Sequence, residues 1–120
     1  MGSLIDTSVL VGAADAGELA DEWAVSVVTV GELEAGVLIA QDDATRARRV
    51  ALLAGVLAEA PALPIDRHIA ARDGELRAST GRQPSNDLWI AATALAHDFT
   101  LMTADERQAS LPLVRSRLVR

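Results

Sequence analysis

The chain has no cysteine and no lysine. Without Cys there is no disulfide framework, no thiolate chemistry and no Cys-based zinc site. Without Lys there is no Lys-bearing phosphate loop, no Schiff-base lysine and no catalytic ammonium. All eleven basic residues are Arg. Aromatic residues are nearly missing too: Trp23, Trp89 and Phe99 are the three present. Half of the residues are nonetheless apolar, with Ala supplying much of that share. A core of small aliphatic side chains suits helices packed on a parallel sheet. A length of 120 residues is expected to form one domain, 1–120, with a buried core. The formal charge of −6 argues against adhesion to nucleic acid through bulk charge. It leaves room for a local basic track or a cation-bridged phosphate contact. No N-terminal stretch has the charged, apolar and small-residue order of a signal peptide. The most apolar segment, 24–40, is interrupted by Glu32 and Glu34 and does not read as a membrane span. The expectation is a cytoplasmic protein with no membrane contact.

What is present alternates between two periodicities. Ser3-Leu4-Ile5 predicts a first strand, ending at Asp6-Thr7-Ser8, with a helix from about Val9. Gly17 to Glu22 reads as a polar connection or short helical turn. Ala24 to Val28 predicts a second strand. Thr29-Val30-Gly31-Glu32 has capping-box spacing and opens a helix to about Ala40, with Leu33 and Val37 inward. Asp43 is expected to cap a helix over 44–59, with Val50, Leu53, Ala54 and Leu57 inward and Arg46, Arg48 and Arg49 outward. Pro61 to Ile65 reads as a turn and short strand. Asp66 caps a helix to about Ser79, supported by an Asp73–Arg77 pair at i,i+4. After a loop over 80–85, Asp87 to His97 predicts a helix apolar on most sides, followed at once by a strand over 99–103. Asp105 starts a last turn, and Leu111 to Val114 is expected to be an edge strand. Strands alternating with helices predict an α/β fold, a three-layer α/β/α domain with a mostly parallel central sheet. The C-terminal ends of such strands share one edge, where ligands bind.

Four carboxylates fall on that edge. Asp6 follows the first strand, Glu32 lies within a turn of the second, Asp87 begins the buried helix and Asp105 follows the next strand. Each has a plain structural explanation. Asp6 can cap a helix, Glu32 can be the return arm of a capping box, Asp87 suits a helix N-terminus, and Asp105 can cap the last turn. Four acids after successive strands point further than any one of them. Such a group resists ionisation unless a cation sits among it. Oxygen donors without Cys favour a hard ion such as Mg²⁺ or Mn²⁺. That chemistry belongs to nucleases and phosphatases. Receiver-type and haloacid-dehalogenase-type phosphoryl transfer also cluster acids at strand ends, but both need a lysine.

The same residues carry a resemblance. Leu4-Ile5-Asp6-Thr7-Ser8, Val28 to Gly36, Asn86 to Ala94 and Leu101-Met102-Thr103-Ala104-Asp105 occur in the order and spacing of the PIN domain. The chain resembles in particular the VapC-type ribonuclease toxins of bacterial toxin–antitoxin pairs. The resemblance implies a Mg²⁺- or Mn²⁺-dependent endoribonuclease whose site is the quartet Asp6, Glu32, Asp87 and Asp105. Asp6 and Asp87 would be direct metal ligands, with Glu32 and Asp105 completing the site directly or through water. Ser8, Asn86 and Thr103 would be supporting polar groups. The implied partners are an RNA substrate, a cognate antitoxin that blocks the site, and a second copy in a homodimer. The expected reaction is hydrolysis by a metal-activated water, leaving a 5′-phosphate and a 3′-hydroxyl. Arg82, in the loop before Asp87, is the better candidate for a substrate contact than the three arginines over 46–49. One departure is the tail Glu106-Arg107-Gln108-Ala109, which lacks the aromatic residue that such relatives often place soon after the last Asp. The alternative reading is a catalytically silent PIN-like RNA- or protein-interaction domain.

Overall fold

A computed structural model describes residues 2–12 and 22–119. Five short strands, β1 (Ser3–Ile5), β2 (Trp23–Ser26), β3 (Ala62–Leu63), β4 (Thr100–Thr103) and β5 (Ser116–Leu118), pair in parallel throughout. Their order is β3-β2-β1-β4-β5. The direction of winding reverses between β1 and β4, where Leu4 lies beside Leu101 and Ile5 beside Met102. In an open parallel sheet this reversal leaves a crevice beyond the strand ends.

Alternation along the strands divides the core in two. Leu4, Ala24 and Leu101 face one layer, built from α4 (Arg67–Ser79) and α5 (Ser85–His97). Ile5 and Val25 face the other, built from α1 (Thr7–Gly12), α2 (Val27–Leu38) and α3 (Asp43–Glu59). The result is the expected α/β/α sandwich, with a sheet that is parallel throughout. Helix α5 is the central support: Leu88, Ile90, Ala91, Ala92, Thr93 and Ala94 are all buried. Burying a side chain such as Ile90 contributes about 1.5–3 kcal/mol. A final one-turn helix, α6 (Glu106–Ala109), links β4 to β5. No helix among the described residues is long and apolar enough to cross a membrane.

Several boundaries differ from the sequence expectation. The second strand ends at Ser26, whose hydroxyl accepts the Val28 N–H and caps α2. Thr29 is therefore not a cap but a buried residue inside the helix. Helix α1 starts at Thr7, two residues early. Asp42, not Asp43, caps α3, accepting the Thr45 N–H at 2.8 Å. Of the residues expected inward on α3, Leu53 packs on the core, but Val50 and Leu57 are about half exposed and Ala54 is exposed; the buried residue is Val56, which was not among them. The arginines of this helix do more than face water. Arg46 donates to the Ala40 carbonyl and Arg49 to the Gly36 carbonyl, both at 2.7 Å, satisfying the free end of α2. The edge strand over 111–114 does not form. Leu113 has φ 72°, which turns the chain, and pairing begins only at Ser116. Asp66 and the Asp73–Arg77 pair are as expected. The connection expected over 17–22 lies outside the described residues except for Glu22.

Candidate active site

Beyond the C-terminal ends of β1 and β4, Asp6, Ser8, Thr103 and Asp105 are joined by hydrogen bonds. Asp6 continues β1 by one residue, donating its N–H to the Met102 carbonyl at 2.9 Å. That ladder bond places its carboxylate beside Thr103, the last residue of β4. Asp6 is 4% exposed, so its charge needs partners. Oδ2 accepts the Ser8 N–H at 3.1 Å and the Ser8 hydroxyl, and Thr103 Oγ1 lies 3.3 Å away. Ser8 Oγ in turn accepts the Ala104 N–H at 3.0 Å, fastening the start of α1 to the end of β4.

Glu32 reaches the crevice from the second turn of α2. Its Oε1 accepts the Thr7 hydroxyl at 2.6 Å, and Thr7 Oγ1 also lies 3.1 Å from Thr29 Oγ1. The capping-box role expected for Glu32 is therefore not what it does. Because strand β2 passes into α2 without a loop, capped by Ser26, Thr29 and Glu32 lie one turn apart on the face that meets α1. Asp105 caps α6, its Oδ1 accepting the Arg107 N–H at 2.9 Å. Its own N–H bonds Thr103 Oγ1 at 3.1 Å. The structural explanation for this residue holds, and it sits in the cluster as well.

Asp87 stands in the first turn of α5, where Pro84 offers no side-chain cap. A helix N-terminus normally stabilises a carboxylate. Here burial, then the charges of Asp6, Asp105 and Glu32 in that order, push Asp87 up to about 6, against a weaker opposing effect of Arg107. After burial, the charges of the other three predicted acids are what raise Asp87.

Ser8 and Thr103 belong to the cluster as expected. Asn86 is exposed and takes part in none of its hydrogen bonds, and Arg82 is exposed in the loop before α5 without a tie to the acids. Four residues went unread in the sequence. Thr7 and Thr29 could have been found by their spacing, one beside Asp6 and the other three before Glu32. Arg107, two after Asp105, is the cation felt at Asp87. Gln108 is 1% exposed, with Nε2 donating to the Asp87 carbonyl at 3.3 Å and Oε1 accepting the Thr103 hydroxyl at 2.7 Å. Nothing but its place one turn after the Asp105 cap marked it.

The donor set suits a hard divalent cation, since every candidate ligand is an oxygen. As they stand, no three Asp, Glu or His side chains among the described residues are gathered to hold an ion. Burial first, and then repulsion from its acidic neighbours, raises Asp87, and a bound cation would offset both.

Comparison with known proteins follows the same residues. The PIN domain family model matches residues 3–113. Ribonuclease VapC4 of Mycobacterium tuberculosis is 41% identical over 119 residues, covering 92% of this chain and 91% of its own. Ribonuclease VapC5 of the same organism is 39% identical over 118 residues, covering 90% and 86%. Among solved structures, the toxin–antitoxin complex VapBC-5 of M. tuberculosis contains a chain that superposes with a TM-score of 0.86 at 35% identity, covering 98% of both chains. VapBC2 of Rickettsia felis, solved with a promoter DNA fragment, gives a TM-score of 0.83 at 20% identity over the full length of both, a likeness of fold.

Proposed function

From the premise that this chain belongs to the PIN domain family, we propose that it is an endoribonuclease, the toxin of a toxin–antitoxin pair, acting in the cytoplasm. The observation that supports the reading is the raised Asp87, on which burial and the charges of Asp6, Asp105 and Glu32 act, in a sheet whose winding reverses between β1 and β4. Relatives 35–41% identical to it include two ribonucleases and a chain of a toxin–antitoxin complex.

Asp6 and Asp87 would hold Mg²⁺ or Mn²⁺, with Glu32 and Asp105 completing the set. Such an ion supplies the positive charge that activates water and offsets charge building on the phosphate. The chain's own groups do the rest. Thr7 fixes Glu32 through Oε1, leaving Oε2 to orient a water molecule. Ser8 donates to Oδ2 of Asp6 through its amide and hydroxyl and leaves Oδ1 for the ion. Arg107, exposed beside Asp87, is positioned to meet a phosphate of the RNA, and a better candidate for that role than Arg82.

The partners proposed are an antitoxin and a second copy of the chain. Leu38 and Ile39 at the end of α2, 80% and 68% exposed, and the half-exposed Val50 and Leu57 on α3 leave apolar surface for a protein to cover. The test of the whole reading is cleavage of a defined RNA panel with and without Mn²⁺. The expected outcome is cutting that stops in excess EDTA and yields 5′-phosphate ends. A 2′,3′-cyclic phosphate product, or cutting that persists in EDTA, would refute it. Metal and antitoxin binding without any cleavage would favour the silent interaction domain instead.

A further inference from the structure

Buried polar side chains are kept where they have work to do, because an apolar residue of the same size packs without the need for partners. Gln108 is such a residue, essentially inaccessible on a four-residue helix. Both ends of its amide are engaged, and both engagements lead to the acid cluster. Nε2 donates to the backbone carbonyl of Asp87 in the first turn of α5, and Oε1 accepts from Thr103 at the end of β4.

The second contact matters because of proton counting. Thr103 Oγ1 lies 2.7 Å from Gln108 Oε1 and 3.3 Å from Asp6 Oδ2. A hydroxyl has one proton to give, and the shorter contact takes it. Asp6 is then held by Ser8, while the Thr103 oxygen accepts the Asp105 N–H. Without Gln108 the Thr103 proton would turn to Asp6, drawing electron density from the carboxylate meant to face a cation. The first contact matters because α5 has no side-chain cap. Gln108 ties its opening turn, and with it Asp87, to the segment that carries Asp105.

We propose that Gln108 is a positioning residue of the active site, directing the Thr103 proton away from Asp6 and fixing Asp87 relative to Asp105. This rests on the ribonuclease reading above. It does not touch substrate.

The experiment uses the full chain and two volume-preserving substitutions, Gln108→Met and Gln108→Leu. Mn²⁺ affinity is measured by calorimetry without RNA, and cleavage is measured in parallel. The expected result is folded protein with about tenfold weaker Mn²⁺ affinity. Likewise kcat should fall by about tenfold or more, with KM changed less than twofold. Folded variants that keep Mn²⁺ affinity and kcat within twofold of wild type would reduce Gln108 to packing and overturn the proposal. A check independent of variants is hydrogen exchange of the Gln108 side-chain amide in the wild-type protein. Slow exchange is expected; rapid exchange means the tie does not exist. Slow exchange in a protein that neither binds Mn²⁺ nor cuts RNA would leave the tie standing and bring down the ribonuclease reading.

Discussion

Asp6 and Asp87 share one crevice and meet it from opposite sides in opposite condition. On the β1 side, Asp6 is almost inaccessible, yet its carboxylate comes with its own donors, the Ser8 amide and hydroxyl. On the α5 side, Asp87 is less deeply buried, and no described residue donates a hydrogen bond to its carboxylate. It stands at about 6. The lesson is that burial alone does not decide how a charge fares. Donors folded in beside it do, and where they are left out, repulsion from the neighbours collects. The side without donors is the one that gains most from an added cation.

The largest effect expected is one that ignores the difference. If both acids hold the ion, Asp6→Asn and Asp87→Asn should each lower single-turnover RNA cleavage by about a thousandfold or more. Cleavage of a labelled RNA in Mn²⁺, at enzyme concentrations above substrate, measures it. A near-normal rate for Asp6→Asn would break the comparison, since it would mean that the bonds from Ser8 have withdrawn Asp6 from the chemistry.

Stability should then separate what activity does not. A rise from 3.8 to about 6 at Asp87 corresponds to about 3 kcal/mol of strain near neutral pH. Partial exposure and solvent screening reduce this to about 1–2 kcal/mol. Asp87→Asn removes the buried charge and with it both penalties, desolvation and repulsion, and the protein should become about 1–2 kcal/mol more stable as it loses activity, a trade between site and fold. Asp6→Asn does the reverse. It weakens charge-assisted bonds in a buried place and should cost about 1–3 kcal/mol. Urea titrations in EDTA at pH 7.5 give both numbers. Shifts of the same sign would show that the two acids are not differently provided for.

How far this was legible in the sequence depends on where the deciding force lies. Helix α5 was read correctly because it is buried on nearly every side, so any apolar residue in it counts toward the core. Helix α3 is more highly charged and buries Val56 while Val50 and Leu57 are exposed. Its packing on α2 selects one narrow stripe, and periodicity alone could not say which. The quartet was legible because each acid follows a strand or opens a helix, and parallel topology then does the gathering. The hydroxyls and amide that hold it were mostly not. Thr7 and Gln108 act across gaps of 25 and 5 residues, through side-chain bonds that no local propensity encodes. The failed edge strand has a similar cause: Leu113 takes a left-handed conformation that a leucine seldom adopts, imposed by the path from α6 to β5.

The smallest effect is the dependence of stability on pH, and it isolates Asp87 from the other acids. Its folded value of about 6 lies above its ordinary 3.8. Between those values the folded chain binds more protons than the unfolded one, so stability rises as pH falls from 6 toward 4. The penalty is fully present above 6. All other groups are common to wild type and Asp87→Asn, so the stability difference between the two cancels them. In EDTA that difference should favour the variant at pH 7.5 and shrink by about 1 kcal/mol by pH 4.5. Saturating Mg²⁺ at pH 7.5 should instead stabilise the wild type and not the variant, because only a carboxylate at this position gives the ion something to offset. A difference that stays constant with pH would mean that the repulsion at Asp87 is borne by another acid of the cluster, and the contrast between the two sides of the crevice would have to be redrawn around that residue.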